Sequence, residues 1–344
     1  MNKKIPRREF IGTGLGVVAA AGLAGCDRSE RQRAEKPPLD ERFTYDISQY
    51  ERTDPALLRY VEKTQFPTDL DEPKCLAVGA GDTILVGGDR LLKTFDRDGK
   101  LTATIIRLPE KPLALDPLDD GAIRVGLRER WEVYDKTGAA TVKSELLGER
   151  VYITALAHSG AVVFVADAGN REIIRCGADG KVISRFGKVG ANDGNPGFAV
   201  PSPYFDLCVG AEGMLWIANP GKHRIEAYTF DGKYETGWGE TAMNVEGFCG
   251  CCNPVYFARL PDGRFVTSEK GLNRVKVYDV KGKFESVVAG PEQLVKDREM
   301  ARKACTNCQV GFGMPVAADS RGRVVVLDTA TRDIRIFERK EKKA

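Results

Sequence analysis

From about residue 73 onward, short β-rich apolar runs alternate with small polar turns. Two turn types recur. One joins an aromatic residue to a glycine four positions on: Phe95-Asp96-Arg97-Asp98-Gly99, Tyr134-Asp135-Lys136-Thr137-Gly138 and Tyr278-Asp279-Val280-Lys281-Gly282. Tyr228-Thr229-Phe230-Asp231-Gly232 is a fourth copy. A fifth has Cys176 in the aromatic place and ends at Asp179-Gly180, and a sixth keeps Phe337. Thirteen to sixteen residues before each aromatic position lies the other turn: Gly81, Gly121, Gly160, Gly213, Gly263 and Gly322. Between the turns, Thr83–Val86, Ile123–Val125, Val162–Val165, Leu215–Ala218, Arg264–Thr267 and Val324–Leu327 read as strands. Further runs read as strands on either side of them, such as Pro254–Ala258, Arg274–Tyr278 and Lys283–Val288.

Four strands in each ~40–50 residues, six times over, predict an all-β fold, a six-bladed β-propeller. An open solenoid fits less well, because hairpin turns rather than parallel coils join the strands. The sixth repeat is incomplete: after Phe337 only the charged tail ERKEKKA remains. An N-terminal strand must then close the last blade and remove its open edge. Arg42–Ile47 alternates with period two and is the expected donor. Residues 54–63 are expected to form a short helix, with Asp54 as N-cap and Pro55 in its first turn.

The N-terminus is of another kind. Lys3, Lys4, Arg7 and Arg8 precede the mild apolar run Ile11–Gly25, which is too short and too rich in Gly and Ala to span a bilayer. Arg7-Arg8-Glu9-Phe10-Ile11 resembles a twin-arginine export signal. Leu23-Ala24-Gly25-Cys26 resembles a bacterial lipobox, which implies lipidation of Cys26 and anchoring in a membrane. The expected organisation is a signal peptide over 1–25, a charged Pro-containing linker over 26–41 and the propeller over 42–344. The chain is expected outside the cytoplasm, on the periplasmic side.

The chain has 344 residues with a formal net charge of +3, which argues against a nucleic-acid partner. Its 37 glycines are spread along the chain, as many tight turns require. There are only two histidines, His158 and His223, so a His-rich metal site is excluded and neither lies in a recognisable catalytic motif.

The units VVFVADAGNREIIRCGADGKVISRFGK and LWIANPGKHRIEAYTFDGKYETGWG resemble NHL repeats, over roughly residues 73–338. The resemblance implies a six-bladed propeller and says little about function. NHL propellers serve as binding modules, and relatives include lyases and lactonases with a metal in the central channel. Those enzymes depend on histidine and carboxylate ligands, and this chain is poor in histidine.

Nine cysteines carry the specific chemistry. Cys75, Cys176 and Cys208 sit singly within strand runs and read as core. Cys249 and Cys252 form one C-x-x-C, with Cys251 inside it, and Cys305 and Cys308 form a second. Paired C-x-x-C presents thiolates to one metal centre. Covalent haem is disfavoured, because Asn253 and Gln309 stand where histidine would be needed. Both segments join the outer strand of one blade to the inner strand of the next, so all five thiols are expected on one face. A helix over Pro291–Lys303 is expected to cover them. His223, in a loop on the same face, is expected to face solvent, with a supplementary ligand role as the alternative. Three readings stay open: an iron–sulfur cluster held by Cys249, Cys251, Cys252, Cys305 and Cys308, disulfides, and zinc. A cluster implies electron transfer or docking in a membrane-bound redox assembly, and twin-arginine export of folded protein suits cofactor loading in the cytoplasm. Disulfides imply a protein-binding scaffold. A propeller hydrolase or lactonase is a third function.

Overall fold

Each repeat folds into a four-stranded antiparallel blade because its two turn types reverse the chain between strands. In the first type, Gly81, Gly121, Gly160, Gly213, Gly263 and Gly322 adopt φ between 55° and 84°, a region open to glycine at little cost. In the second, the aspartate after the aromatic residue caps its own turn. Asp135 Oδ1 accepts from the Thr137 and Ala139 amides, and Asp279 Oδ1 from those of Lys281 and Lys283.

The structure, a computed structural model, describes residues 48–188, 196–295 and 313–341. From inner to outer strand, blade 1 is Pro73–Val78, Ile84–Gly88, Leu91–Phe95 and Leu101–Ile106. Blade 2 is Ala114–Pro117, Ile123–Gly126, Trp131–Tyr134 and Ala140–Lys143. Blade 3 is Ile153–Ser159, Val162–Asp167, Glu172–Gly177 and Val182–Phe186. Blade 4 is Leu207–Val209, Leu215–Asn219, Arg224–Tyr228 and Tyr234–Trp238. Blade 5 is Tyr256–Arg259, Phe265–Ser268, Val275–Tyr278 and Phe284–Ala289, and blade 6 is Val316–Ala318, Val324–Asp328, Asp333–Arg339 and Tyr60–Pro67. The inner strands neighbour one another in sequence order, and that of blade 6 meets that of blade 1, so the ring closes. The architecture is the expected six-bladed β-propeller.

An N-terminal strand does close the last blade, but it is Tyr60–Pro67. It runs antiparallel to Asp333–Arg339, with Phe66 opposite Ile334 and Glu62 opposite Phe337. The expected donor, residues 42–47, lies outside the described residues, and the edge it was to cover is occupied. The expected helix over 54–63 is replaced by a single 3-10 turn, Pro55–Leu57. Asp54 does cap that turn, accepting from the Ala56 amide at 2.8 Å. The helix stops there because the following residues gain a whole ladder of hydrogen bonds from the last blade. The helix expected over Pro291–Lys303 starts at Pro291 as the sequence indicates. It ends at Leu294 with Val295 extended, and residues 296–312 lie outside the described residues.

The blades are glued face to face by apolar clusters. Cys75 and Cys176 are buried in them as expected, and Cys208 packs against one. Glycines in the second turn type touch the preceding blade. A Cβ on Gly282 would lie 2.1 Å from Trp238, one on Gly232 2.4 Å from Phe186, and one on Gly99 2.6 Å from Phe66.

Candidate functional site

Propeller topology sorts the loops by face. Turns between first and second, and third and fourth, strands lie on one face. Crossovers between blades, and loops between second and third strands, lie on the other. Cys249–Cys252 belongs to the crossover from blade 4 to blade 5, so it lies on the crossover face, together with His223 and the Glu269–Lys270 loop. Cys305 and Cys308 lie outside the described residues, as does Cys26. The segment carrying the first two leaves the outer strand of blade 5 and re-enters at Gly313, before the inner strand of blade 6. Gly313 sits against the crossover site: a Cβ there would be 2.5 Å from Tyr204 and 3.1 Å from Tyr256.

The crossover is clamped to blade 5 by Asn253. Its side-chain amide donates to the Cys249 and Lys270 carbonyls at 2.7 and 3.0 Å, and its Oδ1 accepts from the Lys270 amide at 2.9 Å. The three thiols of the crossover have different surroundings. Cys249 is buried beside Glu269, whose Oε2 accepts from the Cys249 amide at 3.0 Å. Burial, reinforced by the Glu269 carboxylate, pushes the Cys249 thiol up to about 12. Glu269 is itself held by Arg274 at 2.9 Å and Lys276 at 2.5 Å, all three side chains almost wholly buried. Burial lowers the Lys276 ammonium to about 8 against the pull of Glu269. Lys276 also donates to the Gly247 carbonyl at 2.6 Å and lies 4.6 Å from the Phe248 ring centroid.

Cys252 faces a different set of groups. The Ser202 hydroxyl donates to its sulfur at 3.2 Å, and Lys270 Nζ donates to Ser202 Oγ at 3.2 Å. Burial alone would raise this thiol. Hydrogen bonds from Ser202, Lys270 and Cys251, with the Lys270 charge, overcome it and leave Cys252 below the ordinary thiol value. Cys251 is exposed, and its sulfur is 3.3 Å from that of Cys252. Cys251 and Cys252 therefore come together, whereas Cys249 keeps company with Glu269. The described residues hold no group of three or more His, Cys, Asp or Glu arranged around a common metal position.

His223 departs from expectation. It is buried, with Nε2 2.9 Å from the Gly250 carbonyl and Nδ1 2.9 Å from Thr241 Oγ1. A carbonyl only accepts, so Nε2 carries the proton and Nδ1 accepts from the hydroxyl. The ring supports the cysteine loop with both nitrogens. His158, in the inner strand of blade 3, holds Asp116 of blade 2 through Nδ1 at 2.9 Å.

Sequence reasoning missed Ser202, Lys270 and Glu269, which come from two loops distant in sequence. It also missed a charged residue buried two positions before the third-strand aromatic: Lys93, Glu132, Glu226, Lys276 and Arg335. That spacing was readable, since five of the six repeats carry it. The channel holds a half-open cavity of about 140 Å³, lined among others by Lys74, Thr154, Asp206 and Tyr256.

No family model matches the sequence, and no curated protein does. Among solved structures, the WD40 β-propeller domain of Doa1 is similar, with a TM-score of 0.51 and 15% identity, covering 78% of this chain and 79% of that one. A streptogramin B lyase gives a TM-score of 0.51 at 12% identity over 83% of this chain and 100% of the other. A catalytically inactive virginiamycin B lyase from Staphylococcus aureus with quinupristin gives 0.54 at 12% identity, covering 81% and 99%. At such identities the likeness extends to the fold and no further. Among the described residues, no helix is long and apolar enough to cross a membrane.

Proposed function

We propose that this protein is an exported, lipid-anchored propeller whose crossover face carries a thiolate-ligated iron–sulfur centre, serving electron transfer or docking within a membrane redox assembly. The observation that carries the reading is Cys252: a buried thiol whose hydrogen bonds and neighbouring ammonium favour the thiolate, the form that binds metal. Cys251 stands beside it at 3.3 Å. Gly313, five residues after Cys308, rests on Tyr204, whose ring lies 4.8 Å from Lys270 Nζ. Cys308 lies five residues and Cys305 eight residues before Gly313, so an extended chain could carry them at most ~18 and ~29 Å from it, a span that includes Cys252. The donor set is thus Cys251, Cys252, Cys305 and Cys308, with Cys249 held protonated and structural. When bound, the cluster would supply one-electron chemistry, and Ser202 and Lys270 would orient Cys252 and hold its charge. Anchoring rests on Cys26, the lipobox cysteine.

The test is iron and acid-labile sulfide per chain in protein purified without oxygen. Stoichiometric iron and sulfide are expected, lost in Cys252→Ser and Cys305→Ser and retained in Cys249→Ala. Cys26→Ser is expected to leave the membrane fraction. Stoichiometric zinc without sulfide would make the centre a closed structural site. Absence of metal with few titratable thiols would return the face to disulfides and the protein to a binding scaffold. A lyase or lactonase reading has little to draw on, since His223 uses both ring nitrogens for its loop.

A further inference from the structure

Along the inner strand of blade 1, Pro73, Cys75 and Ala77 are buried and Lys74, Leu76 and Val78 half-buried. Leu76 and Val78 pack against the apolar cluster shared with blade 6, and Lys74 lines the channel cavity. Lys74 brings an ammonium into the cavity, and no carboxylate among the described residues pairs with it. Its Nζ lies 5.8 Å from the centroid of the Tyr204 ring. Burial, with help from Lys111, lowers its affinity for a proton. Blade 4 stands opposite blade 1 in a six-fold ring, and there Asp206 lines the same cavity. Its two oxygens accept from the Leu207 amide at 3.0 Å and the Phe257 amide at 2.9 Å, bonds that favour the carboxylate. Burial outweighs them and pushes its carboxyl up to about 7, so below neutral pH it is largely uncharged and no full counter-charge to Lys74. Tyr256 also lines the cavity, and its ring meets Tyr204 edge-on at 5.5 Å. Lys270 adds a second cation over that Tyr204 ring. The cavity is therefore a desolvated, cation-bearing chamber short of negative charge. Such a cation is costly unless compensated.

We infer that the channel is a binding site for a compact oxyanion, a small carboxylate or an inorganic oxyanion, held by Lys74 from blade 1 and faced by Asp206 and Tyr256. A cavity of about 140 Å³ holds roughly four or five water volumes, which suits an anion of that size. The site borders the thiol centre through Tyr204 and Tyr256 but does not rest on a metal being bound there.

The experiment is calorimetric titration of the full chain with acetate, nitrate and inorganic phosphate, and with methylammonium as the opposite charge. Saturable one-to-one binding of at least one anion is expected, none of methylammonium, and acetate against nitrate tells the two sources apart. Lys74→Met is expected to weaken binding at least tenfold and Lys74→Arg to retain it. Asp206→Asn, which keeps a neutral donor in place, is expected to bind at neutral pH at least as well as the parent. No saturable anion binding by the parent chain, or undiminished binding by Lys74→Met, overturns the inference. Should Lys74→Met fail to fold, a tighter response to methylammonium than to any anion in the parent chain overturns it equally.

Discussion

At the residue scale, burial and pairing decide what each charged group contributes. Glu269 lies between Arg274 and Lys276 and also receives the Cys249 amide. Glu269→Gln would leave two buried cations against one neutral amide. The expected cost is ~3–5 kcal/mol, the usual penalty for breaking a buried ion pair from one side, read from urea unfolding. The His158–Asp116 contact gives a pH signature. The hydrogen bond to Asp116 raises the His158 value, against burial and the nearby Arg124, with Asp119 adding to the raise. A histidine raised in the folded state stabilises it fully below the unfolded value of about 6.5, and that stabilisation fades as pH climbs through the folded value. The stability gap between the parent and His158→Asn is therefore expected to be wider near pH ~5.5 than near pH ~9. A gap independent of pH would show that His158 does not titrate against Asp116.

At the scale of elements, the turns and the outer strands work as one joint. At three of the joints an aromatic residue late in the outer strand meets the next blade's turn, and at a fourth Gly180 lies against Ser144. Phe186 meets Tyr228 at 5.9 Å, Trp238 meets Tyr278 at 4.7 Å, and Phe66 of the closing strand meets Phe95 at 5.2 Å. Gly282→Ala is expected to destabilise well beyond the ~1–2 kcal/mol of a left-handed alanine, because its Cβ also collides with Trp238. Gly213→Ala has a similar φ of 78° but open space around it, and should cost only the backbone part. Equal losses in the two variants would deny the joint its packing role. Deleting Tyr60–Pro67 is expected to bare the edge of Asp333–Arg339 and bring on aggregation, visible by light scattering. Deleting 42–47 instead should leave the ring closed.

On the scale of the whole molecule, one chain closes its ring by pairing an N-terminal strand with the C-terminal one. Leu58 also bridges to Val287 of blade 5, and Arg335 reaches both Glu62 and Asp328. Removing any blade breaks contacts on both its neighbours, so the six should melt together. Near-ultraviolet and far-ultraviolet dichroism are expected to report one coincident transition. A chain lacking Tyr60–Pro67 should show the two signals separating. The crossover face also gathers loops from blades 4 and 5, so rigidity of the ring is what holds Ser202, Lys270 and Cys252 in line.

The repeat and its turn chemistry alone determined the propeller, the number of blades and the need for a closing strand, because glycine φ and strand burial are local requirements. They also placed Cys249–Cys252 on a crossover. Which segment closes the ring was decided by the tertiary structure, although a trace of it was present: Gln65-Phe66-Pro67 repeats the outer-strand ending seen in Arg185-Phe186-Gly187 and Gly237-Trp238-Gly239. Period-two alternation at 42–47 carried no such mark of packing against the next blade. The division of the cysteines was beyond the sequence altogether. Cys249 and Cys252 share one motif, yet one faces Glu269 and the other Ser202 and Lys270. Spacing fixes how far apart two thiols are along the chain. Their protonation depends on charges that loops distant in sequence bring to them.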